Sequence, residues 1–205
     1  FYFIESLELY IRKINKTLFL LVFTMIFVVI ASNYLVQFPI QFFYLDKILT
    51  YGAFSYPISF LVTDLCNRTY GKKIARNLVN IGFFVGVIIT IFISTNFEDL
   101  ISIRIGIGSG VAFLIAQNLD INVFDRFRKN KRWFVAPFLS SLIGSAVDTI
   151  LFFSIAFYNT GIPWITLALG DFVVKLMMAT LMLIPFRILL KKMKTVSSRN
   201  NFSAV

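Results

Sequence analysis

Apolar and charged positions are segregated into long blocks along this chain. Charge-free runs cover 17–45, 77–97 and 133–147, each near or above the roughly 20 residues a helix needs to cross the hydrocarbon of a bilayer. The pattern predicts six membrane-spanning helices, at about 17–38, 47–65, 77–97, 104–124, 134–158 and 162–186. Pro57 falls inside the second; a proline removes a helix donor and predicts a kink or break there. The fifth and sixth read as a hairpin joined by "YNTGIP", and the last residues, "SSRNNFSAV", as a polar tail.

Composition strengthens this picture. Of 205 residues, 58% are hydrophobic, 25 are phenylalanine and only 15% are charged, against about a quarter charged in soluble domains; the mean hydropathy is +0.81. The reading is an all-α integral membrane protein, its phenylalanines mostly facing lipid. The first apolar run is too long for a removable signal peptide and lacks a small-residue cleavage site.

The net charge of +10 gains meaning from its placement. Arg12, Lys13 and Lys16 precede the first span. Arg68, Lys72, Lys73 and Arg76 join spans two and three. Arg126, Arg128, Lys129, Lys131 and Arg132 join spans four and five, and Arg187, Lys191, Lys192, Lys194 and Arg199 follow the sixth. The opposite side holds only Lys47 and Arg104. By the positive-inside rule both termini are cytoplasmic. The organisation expected is a cytoplasmic segment at 1–16, one transmembrane domain at 17–186 and a basic cytoplasmic tail at 187–205 of an inner-membrane protein. The basic loops then serve topology and contact with anionic lipid, not nucleic acid.

Several chemistries have little to stand on. The chain has no histidine, one cysteine (Cys66), no Walker loop and no nucleophile elbow, so neither an enzyme nor a cofactor or metal is expected. "GIGSG", 106–110, opens a membrane span and follows no strand. It reads as small residues that let helices approach closely, not as a dinucleotide fingerprint.

The chemistry lies in polar groups within the apolar runs. Asp171 and Lys175, spaced i, i+4, share one helix face. At about 1.5 Å per residue from the outer end of span six they lie roughly 14 and 20 Å deep, and Asp148 on span five lies about 15 Å deep. These three residues are expected to form one midplane cluster. Ionisable groups in a membrane mark substrate or ion sites more often than packing, although a compensated trio that only locks two helices is the plainer alternative. Asp64 and Asp120 lie nearer the cytoplasm, where they either belong to the functional set or, as the plainer alternative, reach the interface or pair with Arg68 or Arg126. Gln117, beside Asn118, and the outer pair Asn33 and Gln37 add amides that either bridge helices or meet a polar ligand. Phe54, Tyr56, Phe113 and Trp164, close to these polar positions, are candidate stacking surfaces.

Several stretches together resemble one family. They are "ASNYLVQFP" (31–39), "YGAFSYPISFLVTDLCNRTYGKKIAR" (51–76), "VAFLIAQNLDINVF" (111–124), "RWFVAPFLSSLIGSAVDTILFFSIAFYN" (132–159) and "DFVVK" (171–175). Together they are similar to the queuosine precursor transporters, grouped with vitamin uptake transporters and related in fold to the substrate-binding S-components of energy-coupling-factor systems. The chain departs from many members at Arg68, after Asn67, and at Ser145, three before Asp148.

The resemblance implies an S-component-like six-helix bundle that imports a 7-deazaguanine base, most of all 7-cyano-7-deazaguanine, for salvage into transfer-RNA queuosine. On this reading Asp148, Asp171, Lys175, Asp64, Gln117, Asp120, Asn33 and Gln37 are the substrate-binding candidates. A buried carboxylate accepts a guanine-like edge, and aromatic faces stack on the heterocycle. An oligomer is compatible with the sequence. An ATPase module is not expected, because helix one has only Ala31 and no Ala-x-x-x-Ala docking pattern. The alternatives are import of another planar heterocycle or vitamin, or an S-component that depends on such a module.

Overall fold

The computed structural model describes residues 2–35, 38, 40, 50–94 and 100–193. Its elements are all helices: α1 (Tyr2–Leu35), α2 (Gly52–Ser55), α3 (Pro57–Tyr70), α4 (Lys72–Ser94), α5 (Leu100–Phe127), α6 (Val135–Phe157) and α7 (Trp164–Lys192). Among the described residues, four segments are long and apolar enough to cross a bilayer: Lys16–Leu35, Ile103–Phe127, Val135–Phe157 and Trp164–Lys192. Helix α1 starts well before the expected span, at Tyr2. The expected start of span two, with Lys47, lies outside the described residues, as do Gln37 and the end of the tail.

Span two is divided as Pro57 predicts. Without an N–H, Pro57 cannot bond the carbonyl four residues back; α2 ends, Tyr56 caps it, and α3 restarts with Pro57 in its first turn. Helix α3 runs to Tyr70, beyond the expected boundary at 65. There Gly71, at φ +91°, takes a conformation that only glycine adopts at no steric cost and turns the chain into α4.

The most extensive pairing is α5 with α6, followed by α1 with α4 and α6 with α7. Gly108 of "GIGSG" faces Phe152 and Ile155 of α6, where an added Cβ would come 3.3 Å from the Phe152 carbonyl. The expected role in close helix approach fits this packing. Arg104 donates to the carbonyls of Ile155 (2.9 Å) and Tyr158 (2.8 Å), satisfying groups that the end of α6 leaves without helical partners.

The surface is apolar and the interior polar. Phe19, Phe23 and Phe27 of α1 and Ile165, Leu169, Val173 and Ile184 of α7 are exposed, while Ser59, Thr63, Asp64, Asn67, Gln117, Asp120, Asp148 and Lys175 are buried. Such a surface fits hydrocarbon rather than water. The phenylalanines divide between the two settings, however: Phe60, Phe124 and Phe186 are fully buried because they fill the space where α3, α5 and α7 converge.

Candidate substrate site

The interruption before Pro57 brings Tyr56 to the face of α6 that carries Asp148. Its hydroxyl donates to Asp148 Oδ1 at 2.9 Å. From α7, Lys175 Nζ donates to Asp148 Oδ2 at 2.8 Å and to Thr149 Oγ1 at 3.2 Å, and it lies 2.6 Å from Asp171 Oδ2. Thr149 Oγ1 in turn donates to Asp171 Oδ2 at 2.8 Å. The ammonium also sits 5.2 Å from the centre of the Tyr56 ring, within cation–π range.

The expected trio therefore exists, and it is a closed network. All three ammonium hydrogens have partners, and both oxygens of Asp148 are occupied. Asp171 Oδ1 accepts nothing among the described residues, and the Asp171 side chain is the most exposed of the three, at 13% against 5% for each of the others. Two carboxylates against one ammonium leave the cluster with a surplus negative charge, concentrated where an acceptor is free.

The trio forms part of the wall of a cavity of about 170 Å³. Tyr56, Asn33 and Ser109 also line it, and Ser109 Oγ donates to Asn33 Oδ1 at 2.9 Å. Ser32 lines it as well; its hydroxyl is buried and has no hydrogen-bond partner among the described residues. The aromatic wall comes from Phe152, Phe153 and Phe157, one and two turns along α6 from Asp148 and Thr149. This spacing, i+4 from each polar residue, was the sequence signal for these phenylalanines. Among the stacking candidates only Tyr56 lines the cavity. Phe113 lies against Phe83, ring centres 6.4 Å apart, and neither Phe54 nor Trp164 is part of the lining.

The other aspartates do not join this cavity. Asp64 and Asp120 are 1% and 0% exposed, and among the described residues neither forms an ion pair with an arginine. The plainer alternative, in which they reach the interface or pair with Arg68 or Arg126, is therefore not what the described residues show. Arg68 instead donates to the carbonyl of Arg128, and Arg128 to that of Asn67. Gln117 is also off the cavity: it donates to Ser59 Oγ at 2.8 Å and accepts from Thr63 Oγ1 at 2.6 Å. Ser59 Oγ donates onward to the Tyr56 carbonyl at 2.7 Å, so Gln117 braces the helix break instead of facing the cavity.

Residues 50–190, which hold the break, the trio and most of this lining, match a family model described as "Putative vitamin uptake transporter". The chain belongs to this family. It is a transporter family, not an enzyme family. Among curated members, the "Queuosine precursor transporter" of Escherichia coli (strain K12) is 33% identical over 212 residues, covering 92% of this chain and 95% of that protein. The "Probable queuosine precursor transporter" of Haemophilus influenzae is 34% identical, covering 83% and 85%. A Bacillus subtilis protein with the same description is 24% identical, covering 82% and 81%. No solved structure matches the chain.

Proposed function

We propose that the chain imports a queuosine precursor of the 7-deazaguanine class, 7-cyano-7-deazaguanine foremost, and that the cavity between α1, α2, α5, α6 and α7 is where it binds. The observation that carries the reading is Asp171 Oδ1, an acceptor with no donor among the described residues inside an otherwise satisfied ionic cluster, on a cavity walled by phenylalanines. A guanine-like edge presents N–H donors in its plane, and a carboxylate takes them as charge-assisted hydrogen bonds. Phe152, Phe153 and Phe157 offer apolar surface to the ring faces, while Asn33, Ser109 and the unpartnered Ser32 hydroxyl offer polar contacts to its rim. An apolar cavity of about 150 Å³ holds a single aromatic ring, and the cavity here, at about 170 Å³, is of that order.

On this reading Asp171 takes the guanine edge, and Asp148 and Lys175 hold it in position. The transport domain is 17–186, with six spans, both termini in the cytoplasm and an inner-membrane location. The Lys and Arg distribution supports that orientation. No ATPase module is required.

The test is thermal stability of the purified chain with 7-cyano-7-deazaguanine, 7-aminomethyl-7-deazaguanine and guanine in parallel, followed by uptake in proteoliposomes. A ligand that binds the folded state raises its stability. A shift with a deazaguanine that Asp171→Asn abolishes supports the reading. Folded protein that responds to none of the three, or only to a different heterocycle, overturns it.

A further inference from the structure

A second polar cluster lies outside the cavity, where α3, α5 and α6 meet. The groups that reach the Asp64 carboxyl are Asp120, Ser140 and Ser141; those that reach Asp120 are Asp64 and Ser140. Ser140 Oγ gives its hydrogen to Asp64 Oδ1 at 3.1 Å, and Ser141 Oγ lies 3.5 Å from Asp64 Oδ2. Both Asp120 oxygens are buried and, among the described residues, neither has a partner at hydrogen-bond distance. Helix α7 contributes only Ala179, Met182, Leu183 and Phe186 to the adjoining space. Among the described residues no lysine or arginine forms an ion pair with either carboxyl.

Two ionised carboxyls in contact, out of water and with no cation, are not a stable arrangement. A single proton between them removes the repulsion and supplies the donor that Asp120 lacks. A separate observation points the same way. Ser145 Oγ is buried, unpartnered and lines a cavity of about 10 Å³ beside Asp64 and Ser141, close to the space one water requires.

We infer that Asp64 and Asp120 hold one shared proton, forming a site distinct from the substrate cavity, and that this proton is the coupling ion of transport. The coupling role rests on the import reading; the proton site itself does not. One turn of α5 and three hydrogen bonds connect the two places. Gln117 lies one turn before Asp120 on α5 and bonds Ser59, Ser59 bonds the Tyr56 carbonyl, and the Tyr56 hydroxyl bonds Asp148. Loss of the proton repels Asp64 on α3 from Asp120 on α5. That displacement acts on the Ser59–Gln117 contact between the same two helices, and through it on Tyr56.

Infrared spectroscopy of the purified full-length chain at neutral pH tests the site without any substrate. The expected result is the carbonyl stretch of a protonated carboxyl, sensitive to deuterium exchange, retained in Asp148→Asn and absent from the Asp64→Asn/Asp120→Asn double variant. Its absence from the wild type, its survival in the double variant, or its removal by sodium at constant pH overturns the inference; the wild-type and sodium measurements need no variant to fold. In proteoliposomes, an imposed pH gradient is expected to raise accumulation of 7-cyano-7-deazaguanine at least about tenfold. Asp120→Asn is expected to abolish that gain while keeping the substrate-induced thermal shift. Substrate uptake that ignores the gradient overturns the coupling role, whereas no substrate binding at all, with the infrared band present, sinks the import reading and leaves the proton site standing.

Discussion

Lys175 of α7 meets Asp148 of α6 at 2.8 Å with both side chains almost fully buried. Removing the ammonium strands two carboxylates in a low-dielectric interior, and breaking a buried pair from one side costs about 3–5 kcal/mol. Lys175→Met is therefore expected to lose that much stability in detergent. Adding Asp148→Asn should restore part of it, with a coupling energy of about 0.5–3 kcal/mol between the sites. Strictly additive losses in a double-mutant denaturation cycle would show that the two residues do not depend on each other.

Tyr56→Phe keeps the ring beneath Lys175 and removes only the hydroxyl donated to Asp148 Oδ1. A buried acceptor left without its donor costs about 1–3 kcal/mol. The expected outcome is a lower Tm together with weaker substrate binding, since Asp148 then loses one of its two fixed contacts. An unchanged Tm would mean that water replaces the hydroxyl without loss.

Ser32→Ala separates binding from folding. The Ser32 hydroxyl has no partner, so its removal should leave stability equal or slightly higher. If the hydroxyl meets the substrate rim, affinity falls by roughly 5- to 10-fold, about 1 kcal/mol, as for an ordinary hydrogen bond. Calorimetry on the two proteins decides this, and equal Kd values would exclude Ser32 from the contact.

Much of this arrangement is legible in the chain. Asp148, Asp171 and Lys175 announce themselves because charges in apolar runs are rare, and helical spacing alone puts the latter two on one face. Pro57 likewise fixes the break. Legibility fails where geometry depends on a neighbouring helix. Nothing in the spacing of Asp64 and Arg68, also i, i+4, reveals that Arg68 donates to the carbonyl of Arg128 instead. Nor does the sequence distinguish Gln117, which braces the break, from Asn33, which lines the cavity. Ser32, Ser109 and Thr149 escaped notice because single hydroxyls are common in membrane helices, and only packing shows which of them reach the cavity.

Cys66 is 0% exposed and is the chain's sole cysteine. A thiol reagent should leave the folded wild type untouched, so single cysteines introduced at Asn130 and Thr160 report orientation on a silent background. Asn130→Cys is expected to react only from the cytoplasmic face of intact cells and Thr160→Cys only from outside. The opposite pattern would invert the topology inferred from Lys and Arg placement.

Arg104 is the cation of α5 that holds the carbonyl end of α6. Arg104→Leu should destabilise that end by about 1–3 kcal/mol, in line with losing hydrogen bonds from a charged donor, and it should do so without touching the trio. Faster amide exchange confined to residues near 155–160 would be the signature, whereas exchange unchanged there would assign those carbonyls other donors.

The interruption at Tyr56 has a mechanical consequence. A continuous helix resists bending because its backbone bonds must break in series, but here that toll has already been met by Pro57. The four-residue α2 packs against α1 and α7, and the Tyr56 that follows it is tethered by its phenol to Asp148, by its carbonyl to Ser59 and by its ring under the Lys175 ammonium. A substrate that competes for Asp148 or Lys175 loosens those tethers directly, so the side chains that grip the cargo are also the latch of the segment beside it.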